Sequence, residues 1–133
     1  MKEFIQILNL TKEYSEGPDR NLVQVFSNLS LSVERGKSLA IVGPSGSGKS
    51  TLLNLVGAMD RPARGDILID GKKISSFTEE ESARFRNLRI GYIFQSHHLL
   101  PALTAVQNIM IPALAGHTDI KNEELEDKAN GLL

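Results

Sequence analysis

Cysteine and tryptophan are absent from this chain of 133 residues, and aromatic residues make up only 5% of it. Without cysteine the chain can form neither a disulfide framework nor a thiolate metal site, which fits a reducing compartment. No stretch approaches the roughly 18 consecutive apolar residues that a membrane-spanning helix needs. The first residues carry an acid within a short alternating run, unlike a signal peptide. We therefore expect no direct membrane span, and any membrane role would depend on a partner protein.

An excess of charge of either sign is also lacking, because the formal net charge is −1. A nucleic-acid-binding domain usually carries a basic excess, so we expect no nucleic-acid partner. The apolar content of 41% and the charged content of 23% are near globular averages. The length is sufficient for one ordinary domain with its own core.

The sequence does contain a glycine-rich run, GPSGSGKS, at residues 43–50. It fits the pattern G-x-x-x-x-G-K-S of phosphate-binding loops. Glycines at this density let the backbone curl tightly and direct its N–H groups toward anionic oxygens. Lys49 supplies a flexible charge that can reach the β- and γ-phosphates, and Ser50 offers a hydroxyl to Mg²⁺. The run therefore predicts a site for a nucleoside triphosphate.

The segments that flank this loop support the prediction. Residues 38–42 are a short apolar run typical of a buried parallel strand, and residues 51–59 carry a broad apolar helical face. A strand, a loop and a helix in this order place the positive end of the helix against the phosphates. The simpler alternative is a surface loop rich in glycine and serine with an ordinary lysine, and the agreement of loop and flanks disfavours it.

The rest of the pattern predicts an α/β fold. Alternating residues between positions 4 and 33 predict antiparallel strands with one solvated face. Residues 66–74 predict a hairpin around an Asp-Gly turn, and residues 89–94 predict another core strand.

Two capping boxes predict the starts of helices, at Thr78 and at Thr104. The first helix should run to about Asn87, and the second toward Ile111, where Pro112 would disturb its last turn. Residues 119–133 predict a final helix whose apolar stripe, with Leu125, Ala129, Leu132 and Leu133, has no C-cap beyond it. We interpret this stripe as a sign that the chain ends inside an element.

Other candidate groups carry weaker signals when they are taken alone. Asp70 follows an apolar run but precedes Gly71, which indicates a turn residue rather than a second Mg²⁺ carboxylate, and we find no general base. His97 and His98 are adjacent and would point to opposite sides of an extended backbone, so we assign no metal to them. Tyr14 could stack on a base through its ring, although packing is its more ordinary role.

Taken together, these residues resemble the nucleotide-binding domains of ABC transporters over the whole chain. Residues 43–51, GPSGSGKST, look like the family's Walker A loop. Tyr14 fits the aromatic position that stacks on adenine. Gln95 matches the Q-loop glutamine, which in the family touches Mg²⁺ and links the nucleotide site to the transmembrane subunits. Residues 94–109 look like the bacterial lipoprotein-release and macrolide-export group.

The resemblance implies an ATP-binding subunit that drives export or lipoprotein release. Its cofactors would be ATP and Mg²⁺, and its partners a second nucleotide-binding domain and transmembrane permease subunits. It would lie on the cytoplasmic face of the bacterial plasma membrane. The nucleotide-binding residues so implied are Tyr14, Gly43, Pro44, Ser45, Gly46, Ser47, Gly48, Lys49, Ser50 and Thr51, with Ser50 and Gln95 on the metal.

The family's signature loop LSGGQ, its Walker B strand with the catalytic glutamate, and its switch histidine do not occur in these residues. We therefore expect a partial ABC-type domain over residues 1–133, with a P-loop NTPase core, an N-terminal antiparallel β-subdomain and the start of a helical subdomain. The expected segments are 1–37, 38–95 and 96–133. Such a chain would hold the Walker A half-site and turn over little ATP alone.

Two alternatives stay open at this point. One is a self-contained, non-catalytic nucleotide-binding module, which would melt cooperatively as a monomer. The other is a different P-loop NTPase, such as a small-molecule kinase or a GTPase. The guanine-reading string N-K-x-D does not occur in the sequence, which disfavours a GTPase.

Overall fold

The computed structural model describes residues 3–16, 21–116 and 121–133. The chain divides into two compact units, Met1–Ala83 and Arg84–Leu133. The first unit contains β1 (Glu3–Glu16), β2 (Asn21–Glu34), α1 (Lys49–Val56), β3 (Arg64–Ile69) and β4 (Lys72–Lys73). The strands form one sheet in the order β2-β1-β3-β4, α1 is the one α-helix that lies wholly within the described part of this unit, and Ile74–Ser76 form a short 3-10 helix.

The predicted antiparallel β region is confirmed. Central strand β1 pairs antiparallel with β2 on one side and with β3 on the other, so that Ile7 lies opposite both Leu31 and Ile67. Ile7, Leu10 and Ile67 are at most 1% exposed, and each such buried side chain stabilises the fold by roughly 1.5–3 kcal/mol. The other buried apolar side chains of this unit are Leu52, Leu55, Ala58, Ile69 and Ile74.

The hairpin predicted over residues 66–74 is present, joining β3 to β4 through Asp70 and Gly71. Both turn residues have positive φ, 51° and 76°, as a two-residue type I′ turn requires. Asp70 forms an ion pair with Arg35 (Nη2 to Oδ1, 2.5 Å), which agrees with its interpretation as a turn residue. The returning strand is shorter than predicted, because the buried Ile74 already belongs to the 3-10 helix.

Two strand predictions are wrong in this structure. Residues 38–42 and residues 89–94 form no strand within the described residues. Val42 and Ile93 are 87% and 100% exposed, whereas a core strand would bury both. The reason is physical: a strand exists only when a neighbouring strand receives its N–H and C=O groups. An apolar sequence can favour extension, but it cannot supply that neighbour.

Helix α2 (Glu79–Arg89) begins as predicted, and the division between the units falls within it. The Thr78 amide donates to a Glu81 carboxylate oxygen (2.7 Å), and the Glu81 amide donates to the Thr78 hydroxyl (3.2 Å). This reciprocal pair is a capping box, which satisfies two donors that the helix start leaves open.

The second unit contains α3 (Ala105–Ala115) and α4 (Asn122–Asn130). Thr104 and Gln107 form the predicted capping box at the start of α3. The helix continues through Pro112, contrary to the expected disturbance. Proline costs one hydrogen bond, but its fixed φ of about −65° is compatible with a helix.

The final helix is shorter than predicted, and residues 119 and 120 lie outside the described residues. Leu125 and Ala129 are buried, as the apolar stripe predicted, whereas Leu132 is 76% exposed. The expected absence of a C-cap is wrong, because α4 ends at Asn130 and the Gly131 amide donates to the Asp127 carbonyl at 3.1 Å.

A buried cation connects β1 to the segment that follows α1. The Lys12 side chain is only 9% exposed, and its Nζ lies 2.7 Å from Asp60 Oδ1. Partial burial opposes ionisation of Asp60, but hydrogen bonds from Lys12, Tyr14 and the Arg61 amide together lower the pKa of this carboxyl below its ordinary value of 3.8. The pair therefore persists to acidic pH.

Gly65 lies where β3 closely approaches the backbone of β1 at a register shift, and its replacement by alanine should destabilise the first unit. Its φ is +87°, and an added Cβ would collide with backbone atoms of Asn9 and come within 2.6 Å of the Leu8 carbonyl oxygen. Gly71→Ala is the matched control, because its φ is +76° but nothing lies within 4 Å of its Cβ position. We expect Gly65→Ala to lower the free energy of unfolding by about 3 kcal/mol and Gly71→Ala by about 1 kcal/mol. Urea titration followed by circular dichroism measures both, and equal losses would contradict the collision.

The lowered pKa of Asp60 makes part of the stability dependent on pH. A carboxyl with a lower pKa in the folded state contributes stability that is present above its unfolded pKa and is lost as pH falls through the folded value. The difference in unfolding free energy between the wild type and Asp60→Asn should therefore shrink from about pH 6 to about pH 3. Urea titrations of both proteins across this range test the prediction, and a constant difference would contradict it.

Candidate nucleotide-binding site

The glycine-rich run forms an irregular loop that leads directly into α1. Gly43, Gly46 and Gly48 have φ values of 154°, 79° and 84°. L side chains rarely adopt such conformations, so these positions favour glycine. The Ser47 amide donates to the Pro44 carbonyl at 3.3 Å, which closes a turn inside the loop.

Strand β2 lies directly against the last glycine of this loop. A Cβ on Gly48 would lie 2.6 Å from Val25 Cγ1 and 3.2 Å from Phe26 Cδ1. Glycine at position 48 is therefore required for two reasons: the backbone is left-handed there, and the side chains of β2 leave no room. This contact places the start of α1 at a fixed point beside the sheet.

The first turn of α1 provides a positive end that no side chain neutralises. Gly48 is the N-cap, no side chain among the described residues caps it, and residues 49–52 include no acid. The first N–H groups of any helix have no intrahelical acceptor, so here they are available to an anion. The Leu52 amide makes the first intrahelical bond, to the Gly48 carbonyl at 2.9 Å.

The Lys49 side chain folds back across the loop. Its Nζ donates to the carbonyl oxygens of Gly43 (3.0 Å) and Pro44 (2.6 Å). The ammonium therefore lies against the carbonyl oxygens at the start of the loop, on a side chain that belongs to the first turn of α1. Ser50, the predicted Mg²⁺ ligand, is exposed on the same turn, and Thr51 is half-buried.

Tyr14 lies in β1 with 41% of its surface exposed. Its hydroxyl donates to Asp60 Oδ2 at 2.7 Å. Partial burial and the hydrogen bond to Asp60 raise the pKa of Tyr14 above its ordinary value of 10.0, and a hydrogen bond with Thr51 opposes that rise. Because Thr51 is close enough to affect the Tyr14 hydroxyl, this predicted base-stacking residue lies near the first turn of α1.

Gln95 belongs to the second unit, where it is exposed at a bend. Nearby, the ring of Phe94 stacks on Tyr92 with centroids 4.9 Å apart and meets His98 edge-on at 4.6 Å. Burial raises the pKa of Tyr92. His98 thus packs against an aromatic ring, and across the described ranges no group of three or more His, Cys, Asp or Glu side chains is placed to hold a metal.

Sequence reasoning missed two polar residues beside Tyr14, namely Lys12 and Asp60. Lys12 could have been found, because residues two apart on a strand share a face and a lysine inside a buried stretch requires an anionic partner. Asp60 follows α1 in a segment without hydrophobic periodicity, and nothing in the sequence marks it as the anionic partner of Lys12.

Comparisons with known proteins agree with this geometry. The family described as ABC transporter matches residues 26–132. A "Lipoprotein-releasing system ATP-binding protein LolD" of Saccharophagus degradans is 43% identical over 129 residues, which cover 97% of this chain and 55% of that protein. The protein of the same name from Pseudomonas fluorescens is 42% identical over 132 residues, covering 99% of this chain and 56% of that protein.

A solved structure also matches, the dimeric post-hydrolysis state of the ATP-binding cassette MJ0796 bound to ADP and Pi. It is 34% identical with a TM-score of 0.85, and the alignment covers 96% of this chain and 54% of that one. The chain thus spans little more than half the length of the relatives it matches. In the described part of the chain, no helix combines the length and the hydrophobicity that crossing a bilayer requires.

The likeness to the solved cassette extends over nearly the whole chain, so the predicted α/β architecture of such cassettes is confirmed. The family match includes both the glycine-rich loop and α3. The chain therefore belongs to the ABC transporter family.

Proposed function

We propose that this chain binds ATP with Mg²⁺ through residues 43–51 and provides the Walker A half of a nucleotide site. The observation that carries the proposal is the Lys49 ammonium, which lies across a glycine loop at the uncapped start of α1. A triphosphate is held by three kinds of positive group: backbone N–H groups, a helix N-terminus and a lysine ammonium. The loop and the start of α1 provide all three. All of them belong to one compact unit.

Each residue in the proposal has a stated part. The backbone from Gly43 to Gly48 and the Lys49 ammonium hold the β- and γ-phosphates, and Thr51 lies near the α-phosphate. Tyr14 stacks on adenine, a role supported by its exposed ring and its contact with Thr51. Gln95 contacts Mg²⁺ and transmits the state of the site, a role that rests on its position in the sequence alone.

The residues of the loop fit the proposed magnesium ion. Mg²⁺ prefers oxygen ligands, keeps several waters and is bound through one or two protein oxygens plus substrate phosphates. The exposed Ser50 hydroxyl beside the phosphate loop supplies one such oxygen. A cage of protein carboxylates is not required, so the lack of an acidic cluster in the described residues is compatible with this metal.

For the intact protein we propose ATP hydrolysis at a site shared by two nucleotide-binding domains, coupled to export or lipoprotein release by transmembrane permease subunits. The names of the relatives from Saccharophagus degradans and Pseudomonas fluorescens support lipoprotein release. The dimeric cassette bound to ADP and Pi supports a paired site and hydrolysis. In this proposal the domain acts at the cytoplasmic face of the inner membrane, held there by the permease.

Lys49→Ala should weaken Mg-ATP binding by about 100-fold, because it removes charge-assisted hydrogen bonds worth about 1.5–3 kcal/mol each. Isothermal titration calorimetry measures the affinity. Lys72→Ala is the matched control, since Lys72 is an exposed lysine of the same unit in β4, away from the loop. Failure of the folded wild type to bind, or equal losses in both variants, would contradict the proposal.

This chain alone should show little or no steady-state ATP hydrolysis, because in its described ranges no second metal carboxylate or water-positioning acid lies beside the phosphate-binding groups. Phosphate release under saturating Mg-ATP is the measurement, with Lys49→Ala as the control for contaminating enzymes. Robust hydrolysis that disappears in Lys49→Ala would refute the prediction.

A further inference from the structure

Three polar side chains from two segments of the first unit converge at Asp60. Lys12 and Tyr14 come from β1, and Asp60 comes from the segment after α1. Asp60 Oδ1 accepts from Lys12 Nζ (2.7 Å), and Asp60 Oδ2 accepts from the Tyr14 hydroxyl (2.7 Å). We call these three residues the tyrosine clamp.

The carboxylate of the clamp is itself held firmly. The Arg61 amide donates to Asp60 Oδ1 at 2.7 Å, and Lys12 Nζ also donates to the Arg61 carbonyl at 2.8 Å. The Lys12 side chain is 9% exposed and that of Asp60 is 26% exposed. Charge-assisted bonds in such a partly desolvated setting are stronger than neutral ones, so the acceptor for Tyr14 is fixed in place.

The clamp also makes the two faces of the Tyr14 ring unequal. Lys12 Nζ lies 4.4 Å from the ring centroid, a distance at which a cation is attracted to the ring's negative face. One face is therefore occupied by the buried lysine, while the hydroxyl is tied to Asp60. A change of the Tyr14 χ1 angle would move the whole ring and break the Asp60 bond and the cation contact together.

We propose that Asp60 and Lys12 are positioning residues, which hold the Tyr14 ring with one face blocked and present the other face to the base of a bound purine nucleotide. The inference rests on the proposed nucleotide-binding function and adds to it the residues that set the base-stacking geometry. Neither residue touches the nucleotide. Each acts through the tyrosine ring, which is partly exposed and lies near Thr51 in the first turn of α1.

The test compares two ligands, Mg-ATP and Mg-tripolyphosphate, by calorimetry on the chain. Tripolyphosphate engages the phosphate loop but carries no base, so it reports the loop alone. Tyr14→Ala should weaken Mg-ATP binding by about tenfold, the scale of one base–aromatic stack. Asp60→Asn should weaken it by about fivefold, and both variants should bind tripolyphosphate within about twofold of the wild type.

A double-variant cycle separates positioning from general damage. If Asp60 acts through Tyr14, Asp60→Asn should have no further effect on Mg-ATP affinity in the Tyr14→Ala background. Tyr14→Phe provides a second route should Asp60→Asn fold poorly, because it keeps the ring and removes only the bond to Asp60. We expect the Mg-ATP affinity of Tyr14→Phe to lie between the affinities of the wild type and Tyr14→Ala.

Asp66→Asn is the matched control. It is the same substitution in the same unit, and it breaks the ion pair with Lys73 (2.7 Å), which lies on the β3–β4 hairpin. It should leave both affinities unchanged.

A spectroscopic signal is also available, because the chain has no tryptophan and only two tyrosines. In a Tyr92→Phe background, Tyr14 is the sole tyrosine fluorophore, and ATP but not tripolyphosphate should quench it.

Two results would overturn the inference while leaving the proposed function intact. One is wild-type affinity for Mg-ATP in folded Asp60→Asn and Tyr14→Phe. The other is an equal loss for ATP and tripolyphosphate, which would show structural damage instead of positioning. If the wild type binds neither ligand, the proposed function itself fails, and the two failures are thereby distinguishable.

Discussion

The contact between Gly48 and the side chains of Val25 and Phe26 is the constraint on which the candidate site depends. It sets the start of α1 against β2, because no other residue fits a left-handed backbone with so little space beside it. Once the start of α1 is fixed, the loop before it must curl to reach that position. The N-terminus of α1 then faces the loop. A helix dipole and a set of backbone N–H groups are then aimed at one place without any acidic or basic side chain in their construction.

A second connection, the ion pair of Lys12 with Asp60, joins the far end of α1 to β1. Burial of a lysine is costly unless the charge is paired and hydrogen-bonded, and here both conditions are met. Such a pair adds less to net stability than its distance suggests, since desolvation offsets much of the attraction. Its geometric effect is larger: it brings the carboxylate within reach of Tyr14 and so links the base-stacking candidate to the same frame as the loop.

Sequence reasoning succeeded where local chemistry determines structure. The features that depend on neighbours within a few residues are present. They are the glycine-rich loop from Gly43 to Lys49, the Asp70–Gly71 turn and the capping boxes at Thr78 and Thr104. Sequence reasoning failed for residues 38–42 and 89–94, because a strand depends on a partner strand that the local sequence does not specify. It also missed Asp60, whose role depends on a tertiary contact 48 residues from Lys12. The capping and turn rules describe one segment of the chain at a time, whereas strand pairing and ion pairs each depend on two segments.

The two lysines of the first unit show how partners decide function. Lys12 and Lys49 carry the same charge, but Lys12 is bonded to a carboxylate and is nearly buried, so its charge is neutralised within the fold. Lys49, in the bonds described for it, donates only to neutral oxygens of Gly43, Pro44 and Ser47. Charge-assisted bonds to phosphate are roughly twice as strong as bonds to neutral acceptors, so a triphosphate can displace those carbonyls with a net gain. The same exchange is unfavourable at Lys12, because it would leave the Asp60 carboxylate without its cation in a partly buried site.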